Sequence, residues 1–403
     1  MKRIAVITAY NSGYRNTGMV SVDLASHSLC QQLGPDVEVN WFSLHRHNDI
    51  EVRRCVLENE LPFNSNLLLE NLEELFKSDA ILFWGDFLHD RHYHLNACKN
   101  SLIQHRYARD LGEALEITQR CFLLKYAPDH VLQKTVLFGG TVINNCQSDY
   151  VATDYYAPFK RLMAGVHRVW VRDVFSALKV ADIRDPFDVT ACLGTDAALL
   201  LDSQVSMQTT EWSETLPLRQ KMGLFVGART KADVGACLQF AANLARDLNL
   251  SVEWIPWFDM PAVASIKELA PGLVEKDYSH FTLGDLFSAL DKYAVIVTDT
   301  YHLSVNAWRA GTPAICIGSA DPTQQSEWVT LKDTKKFVFY AMYNALDLYV
   351  DTAELQNPER RKIRLEELSR NLNPSIVEPI IARIHTHAQN LRKDIKATLT
   401  ALL

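Results

Sequence analysis

At 403 residues, 48% hydrophobic and 22% charged, the chain is long and apolar enough for two globular domains of the usual ~100–200 residues. Its formal net charge of −7 argues against nucleic acid as a partner, because phosphate contacts demand a basic face. No run reaches the roughly 18–20 apolar residues of a membrane span, so no integral membrane segment is expected.

The first element is a strand over residues 3–8. The apolar run behind Lys2 and Arg3 is too short for the h-region of a signal peptide, about 7 residues at the least. Next come a helix over 18–33, a strand over 37–42 and an amphipathic helix over 66–77, then strands over 80–84 and 135–138. Residues 168–171 read as a strand and 174–181 as a helix. A polar stretch over 203–220 then interrupts the pattern. The alternation resumes with a strand at 222–226, a helix at 232–248, a strand at 251–255 and a helix at 283–290. Strands at 294–297 and 314–317 follow, flanking about three helical turns. Gly311 tolerates a left-handed C-cap and Pro313 cannot continue a helix, so that helix ends there.

Such alternation implies parallel strands with helices on both faces: two Rossmann-like domains facing a cleft that holds the site. We expect the first domain over 1–165, the second over 166–350 and a helical C-terminal tail over 351–403. The eight cysteines, at 30, 55, 98, 121, 146, 192, 237 and 316, include no C-x-x-C pair, which fits a reducing cytoplasm better than a disulfide framework or a zinc site.

Several loops after strands carry candidate chemistry. "AYNSGYRNTG" sets glycines and polar residues ahead of a helix, where backbone N–H groups can meet a phosphate or carboxylate, but it is neither G-x-G-x-x-G nor a P-loop. In "ILFWGDFLHD", Gly85 and Asp86 follow a buried strand; Asp86 can bond a sugar hydroxyl or merely cap a helix. His89, His92 and His94 lack a familiar metal spacing, and no metal is expected there. Arg172, after the 168–171 strand, can grip an anion or pair structurally with Asp173. Arg229 and Lys231 repeat that placement after the strand at 222–226, and two such cationic loops suggest an anionic ligand. Trp254 and Trp257 can stack on a sugar or simply pack. His302, in "TDTYHLSVNAWRAGTP", stands at a helix start just beyond a strand's carboxyl end, the edge where open α/β sheets bind ligands. No G-x-S-x-G elbow is present, so a hydrolase of that kind is not supported.

Taken together, "RNTGMVSVDL", "ILFWGDFLHD", "VWVRDVFSALKVADI…TACLGTDAALLL" and "VIVTDTYHLSVNAWRAGTPAICIG" resemble the polysaccharide pyruvyl transferase family over most of residues 1–320. The resemblance implies a GT-B-like fold, phosphoenolpyruvate as donor and a saccharide of a surface-glycan precursor as acceptor, with peripheral contact to a lipid-linked glycan and no cofactor. It makes His302, matching the family's R-x-H, the general acid/base. It gives Arg172, matching V-R-D, the donor anion, and it places Asn16, Gly18, Gly85 and Asp86 at the family's substrate loops; Arg229, Thr300 and Tyr301, at the same strand ends, join them as candidate substrate-binding residues. The chain departs from the family at Thr300, Met19 and Trp84, where the pattern carries arginine, aspartate and glycine. Two other readings stay open: a glycosyltransferase using a nucleotide sugar, and a saccharide-binding relative without catalysis.

Overall fold

The computed structural model describes residues 1–8, 17–44, 62–86, 88–91, 93–145, 155–202, 220–227, 234–257, 283–319 and 330–403. Eleven strands form two sheets among them. The first contains β1 (Lys2–Thr8), β2 (Val37–Ser43), β3 (Ser65–Leu67), β4 (Ala80–Asp86), β5 (Thr135–Gly140) and β6 (Arg168–Val171) in the order β3-β2-β1-β4-β5-β6. The second contains β7 (Lys221–Phe225), β8 (Ser251–Trp254), β9 (Val295–Thr298), β10 (Ala314–Gly318) and β11 (Tyr349–Asp351) in the order β11-β10-β9-β7-β8. Every strand pair is parallel.

Parallel strands need crossovers, which place helices on both faces and bury the central strands on both sides. In β1, Ile4 and Val6 join one apolar cluster while Ala5 and Ile7 join another on the opposite face. The first cluster continues into the second sheet through Met222, Val295 and Ile315, so the two halves share one core. The helices that matter below are α1 (Thr17–Gln31), α2 (Leu72–Lys77), α3 (Leu111–Phe122), α4 (Val174–Arg184), α5 (Tyr301–Arg309), α6 (Thr330–Met342) and α7 (Pro374–Leu402). In α7, Asn373 caps the start, and Val377, Ile380, Ile384, Leu391, Ile395 and Leu399 form a buried stripe at helical spacing. Each such side chain contributes roughly 1.5–3 kcal/mol, enough to dock the helix without help from its ends.

Three sequence expectations are corrected. Residues 66–77 are not one helix: β3 and the 3₁₀ turn Leu68–Glu70 precede α2, because Asn66 pairs with Phe42 on the edge of the first sheet. The expected division at residue 165 cuts off a strand of the first sheet, since β6 pairs with β5, with Val136 opposite Arg168 and Phe138 opposite Trp170. Likewise β11 runs through Asp351, so the second sheet extends past the expected boundary at 350.

Candidate active site

In a doubly wound sheet the ligand crevice opens where strand order reverses, beyond the carboxyl ends of the strands. That point lies between β1 and β4 in the first sheet and between β7 and β9 in the second. The helix that follows β1 is α1, and the helix that follows β9 is α5. The fold sets these two helix starts against each other. A Cβ on Gly18 would lie 2.3 Å from His302 Cβ and 2.6 Å from its Cγ and Nδ1, so only glycine lets the helices approach this far. Across the same contact, Asn306 donates to Ser21 Oγ (2.9 Å) and Thr17 Oγ1 donates to the Trp257 carbonyl (2.6 Å); within α5, Asn306 also donates to the His302 carbonyl (2.9 Å).

His302 lies next to a carboxylate. Asp196 Oδ2 is 3.8 Å from His302 Nε2 and 3.7 Å from Arg172 Nη1. Asp196 Oδ1 accepts from the Ala198 N–H (3.0 Å) and caps the 3₁₀ turn Ala197–Leu200. Tyr301 completes the cluster: the Arg172 guanidinium stands 5.4 Å from its ring centroid and the Lys335 ammonium 4.8 Å, a cation–π contact from each. Burial pushes the Tyr301 phenol well above its ordinary value, and the Asp196 carboxylate, which its hydroxyl bonds, pushes it further. Arg172, Asp196 and His302 are almost wholly buried, so their charges act where solvent screens them little.

The sequence candidates divide. Gly18, Arg172, Tyr301 and His302 come together. Thr300 adjoins them, but its hydroxyl donates to Asp299 Oδ1 (3.3 Å), an oxygen that also accepts from the Gly227 N–H (2.7 Å). Gly85, at φ +79°, makes room for Val22 of α1, whose Cγ1 would lie 2.5 Å from a Cβ there; its duty is close packing. Asp86 closes β4. Asn16, Arg229, Lys231 and His92 lie outside the described residues. Asp173 caps α4, accepting from the Ser176 N–H (2.8 Å), while its neighbour Arg172 turns to Asp196. Trp254 and Trp257 are core residues. The residues missed by sequence reasoning are Asp196 and Lys335. Asp196 resembles an ordinary turn cap, and Lys335 belongs to a helix that periodicity did not reveal.

The histidines of "HDRHYH" serve the core. His94 Nε2 bonds the Leu88 carbonyl (2.5 Å), its Nδ1 meets the Tyr155 hydroxyl, and its ring stacks on Phe122. The neutral imidazole satisfies both bonds, one nitrogen donating and the other accepting. Burial pushes His94 down to about 3, and burial together with His94 pushes His89 down to about 3, from 6.5. Between those limits the unfolded chain binds more protons than the folded one, so stability is lost as pH falls from 6.5 towards 3. We expect up to about 1.4 kcal/mol per pH unit for each histidine, read as a falling urea midpoint; a His94→Gln variant should show a shallower fall. Among the described residues, no group of three His, Cys, Asp or Glu is placed to hold a metal ion.

Two parallel α/β sheets whose reversal points carry helix starts packed against each other, followed by a helical tail, make a GT-B-like fold. No protein-family model matches the sequence, and no curated protein matches it. Among solved structures, the fold is similar to a protein from Listeria monocytogenes assigned as a UDP-N-acetylglucosamine 2-epimerase. The identity is 10% and the TM-score 0.52, covering 98% of this chain and 96% of that one. The UDP-GlcNAc 2-epimerase from Methanocaldococcus jannaschii aligns over 90% of this chain and 92% of its own, at 9% identity and a TM-score of 0.47. MurG from Acinetobacter baumannii aligns over 98% and 100%, at 11% and 0.46. At these identities the likeness concerns the fold alone.

Proposed function

We propose that the chain is a transferase of the polysaccharide pyruvyl transferase type, moving a pyruvyl group from phosphoenolpyruvate to two hydroxyls of a saccharide as a ketal and releasing phosphate. The observation that carries this reading is that Arg172 and His302 meet at Asp196 while Arg172 and Lys335 both stand over the Tyr301 ring, so that three basic side chains surround one buried cluster. The donor bears a carboxylate and a phosphate, and cations in a dry site are the groups that bind them. Where the family carries an arginine, this chain has Thr300, whose hydroxyl is committed to Asp299. Lys335, which like Arg172 stands over the Tyr301 ring, supplies a second cation in its place.

His302 is then the general acid. It gives a proton to the methylene carbon of the enol, and C2 becomes electrophilic. One sugar hydroxyl adds at C2 and returns a proton to the imidazole. The second hydroxyl displaces phosphate at the same carbon and its proton leaves with the phosphate, giving a ketal with two new C–O bonds. The test is release of inorganic phosphate from phosphoenolpyruvate with a panel of glycan acceptors, the product checked by mass. His302→Ala should lose about 10²–10⁴-fold in rate. A fully active His302→Ala variant sinks the assigned role.

A second reading, a transferase using a nucleotide sugar, draws on the fold likeness to the Listeria protein assigned as a UDP-N-acetylglucosamine epimerase. It predicts that uridine diphosphate, and not phosphoenolpyruvate, raises the melting temperature.

A further inference from the structure

The carboxylate of Asp196 meets both Arg172 and His302, and neither the residue patterns nor the family resemblance singles it out. Its placement is controlled from a distance. The preceding residue, Thr195, is fully buried, and its Oγ1 lies 2.6 Å from the Tyr343 hydroxyl. That hydroxyl lies 3.0 Å from His387 Nδ1 on α7, and Arg383 of the same helix donates to the Tyr343 carbonyl (3.2 Å). Further along α7, Arg392 donates to the Leu200 carbonyl (2.6 Å) and pairs with Asp202 (3.5 Å). The C-terminal helix therefore grips the segment that carries Asp196 both before and after the 3₁₀ turn. Buried polar contacts of this kind are costly unless fully satisfied, and when satisfied they fix one geometry.

We infer that Asp196 is a positioning residue, holding the His302 imidazole and the Arg172 guanidinium in one arrangement, and that the C-terminal helix sets Asp196 through Tyr343 and Thr195. This rests on the proposed role of His302 as the acid. The carboxylate favours the imidazolium, the form that must give up a proton, and its partnership with Arg172 orients the donor's cation.

The test reads the imidazole directly, with no ligand present: titration of His302 by NMR in histidine-labelled protein, with His302→Ala to assign the signal. The charges around that imidazole are Asp196, Arg172 and, across the Tyr301 ring, Lys335. Asp299 ends the strand before it, Asp23 comes from α1, and His385 meets the far end of α5, where Arg309 lies. Only Asp196 changes in Asp196→Asn, and the amide still caps the turn. The titration midpoint should fall by about one pH unit, the size expected on losing an opposite charge at this range. Tyr343→Phe, which keeps the ring and removes the hydroxyl, should lower it by less. An unmoved midpoint in Asp196→Asn overturns the role of Asp196; a fall there with none in Tyr343→Phe overturns the control by the tail. If Asp196→Asn does not fold, Tyr343→Phe alone still decides, since an unmoved midpoint overturns the inference. Failure of phosphoenolpyruvate turnover would remove the functional reading without moving these midpoints, so the two failures are distinguishable.

Discussion

Gly18→Ala should cut turnover by about 10²-fold. The added Cβ would sit 2.3 Å from His302 Cβ and 2.6 Å from the imidazole Cγ and Nδ1, and none of these is the far end of a flexible side chain. Relief requires α1 and α5 to move apart, yet Thr17 and Asn306 tie α1 to the second half. Overpacking of this kind costs roughly 1–3 kcal/mol, and a shift of about 1 Å at a reacting group costs on the order of 10²-fold in rate. The melting temperature and the phosphate-release rate should therefore fall together. Gly112→Ala is the matched control, because its Cβ would meet only an Asp110 oxygen, at 3.3 Å, near the start of α3. It should leave the rate unchanged. A fully active Gly18→Ala enzyme would place the chemistry somewhere other than between the two helix starts.

Arg172→Met is the second large effect. The guanidinium, at 2% side-chain exposure, is the cation beside the equally buried Asp196. Removing one partner of a buried pair leaves the other charge uncompensated, at a cost of about 3–5 kcal/mol. Methionine keeps most of the volume, so the loss is electrostatic and should appear as a lower urea midpoint with an unchanged slope. Arg172→Lys should recover part of that stability while failing to recover donor binding, since an ammonium cannot bond a carboxylate or phosphate in the two-pronged way of a guanidinium.

The fold was legible because parallel strands buried on both faces write themselves as short apolar runs, and all nine of the runs read as strands are strands within a residue or two. β11 was not, and neither was β3, because a three-residue edge strand is defined by its partner and by nothing local. The neighbours of β3, Leu68, Leu72 and Leu75, keep a spacing that imitates one amphipathic helix. The division of the chain was misplaced for a similar reason: β6 could pair with either sheet, and only its register with β5 decides.

The site was legible in part. His302 and Arg172 were visible as residues just beyond strand ends, and Gly18 as a glycine near a helix start. Asp196 was not, since an aspartate ahead of a short apolar run is most often a cap; here one oxygen is a cap and the other faces His302. Lys335 emerges only when α6 is laid beside Tyr301, 34 residues of sequence apart in the folded chain's second half. Gly85 illustrates the opposite error. It holds a positive φ and a tight contact with Val22, so a packing need accounts for it without a ligand.

Binding of phosphoenolpyruvate by Arg172, Lys335 and His302 is the central proposal, and the donor-dependent melting temperature tests it most directly. Phosphoenolpyruvate at a hundredfold excess over its dissociation constant should stabilise the wild-type protein by about 2.7 kcal/mol and leave Arg172→Met unmoved. A rise with uridine diphosphate and none with phosphoenolpyruvate would contradict it.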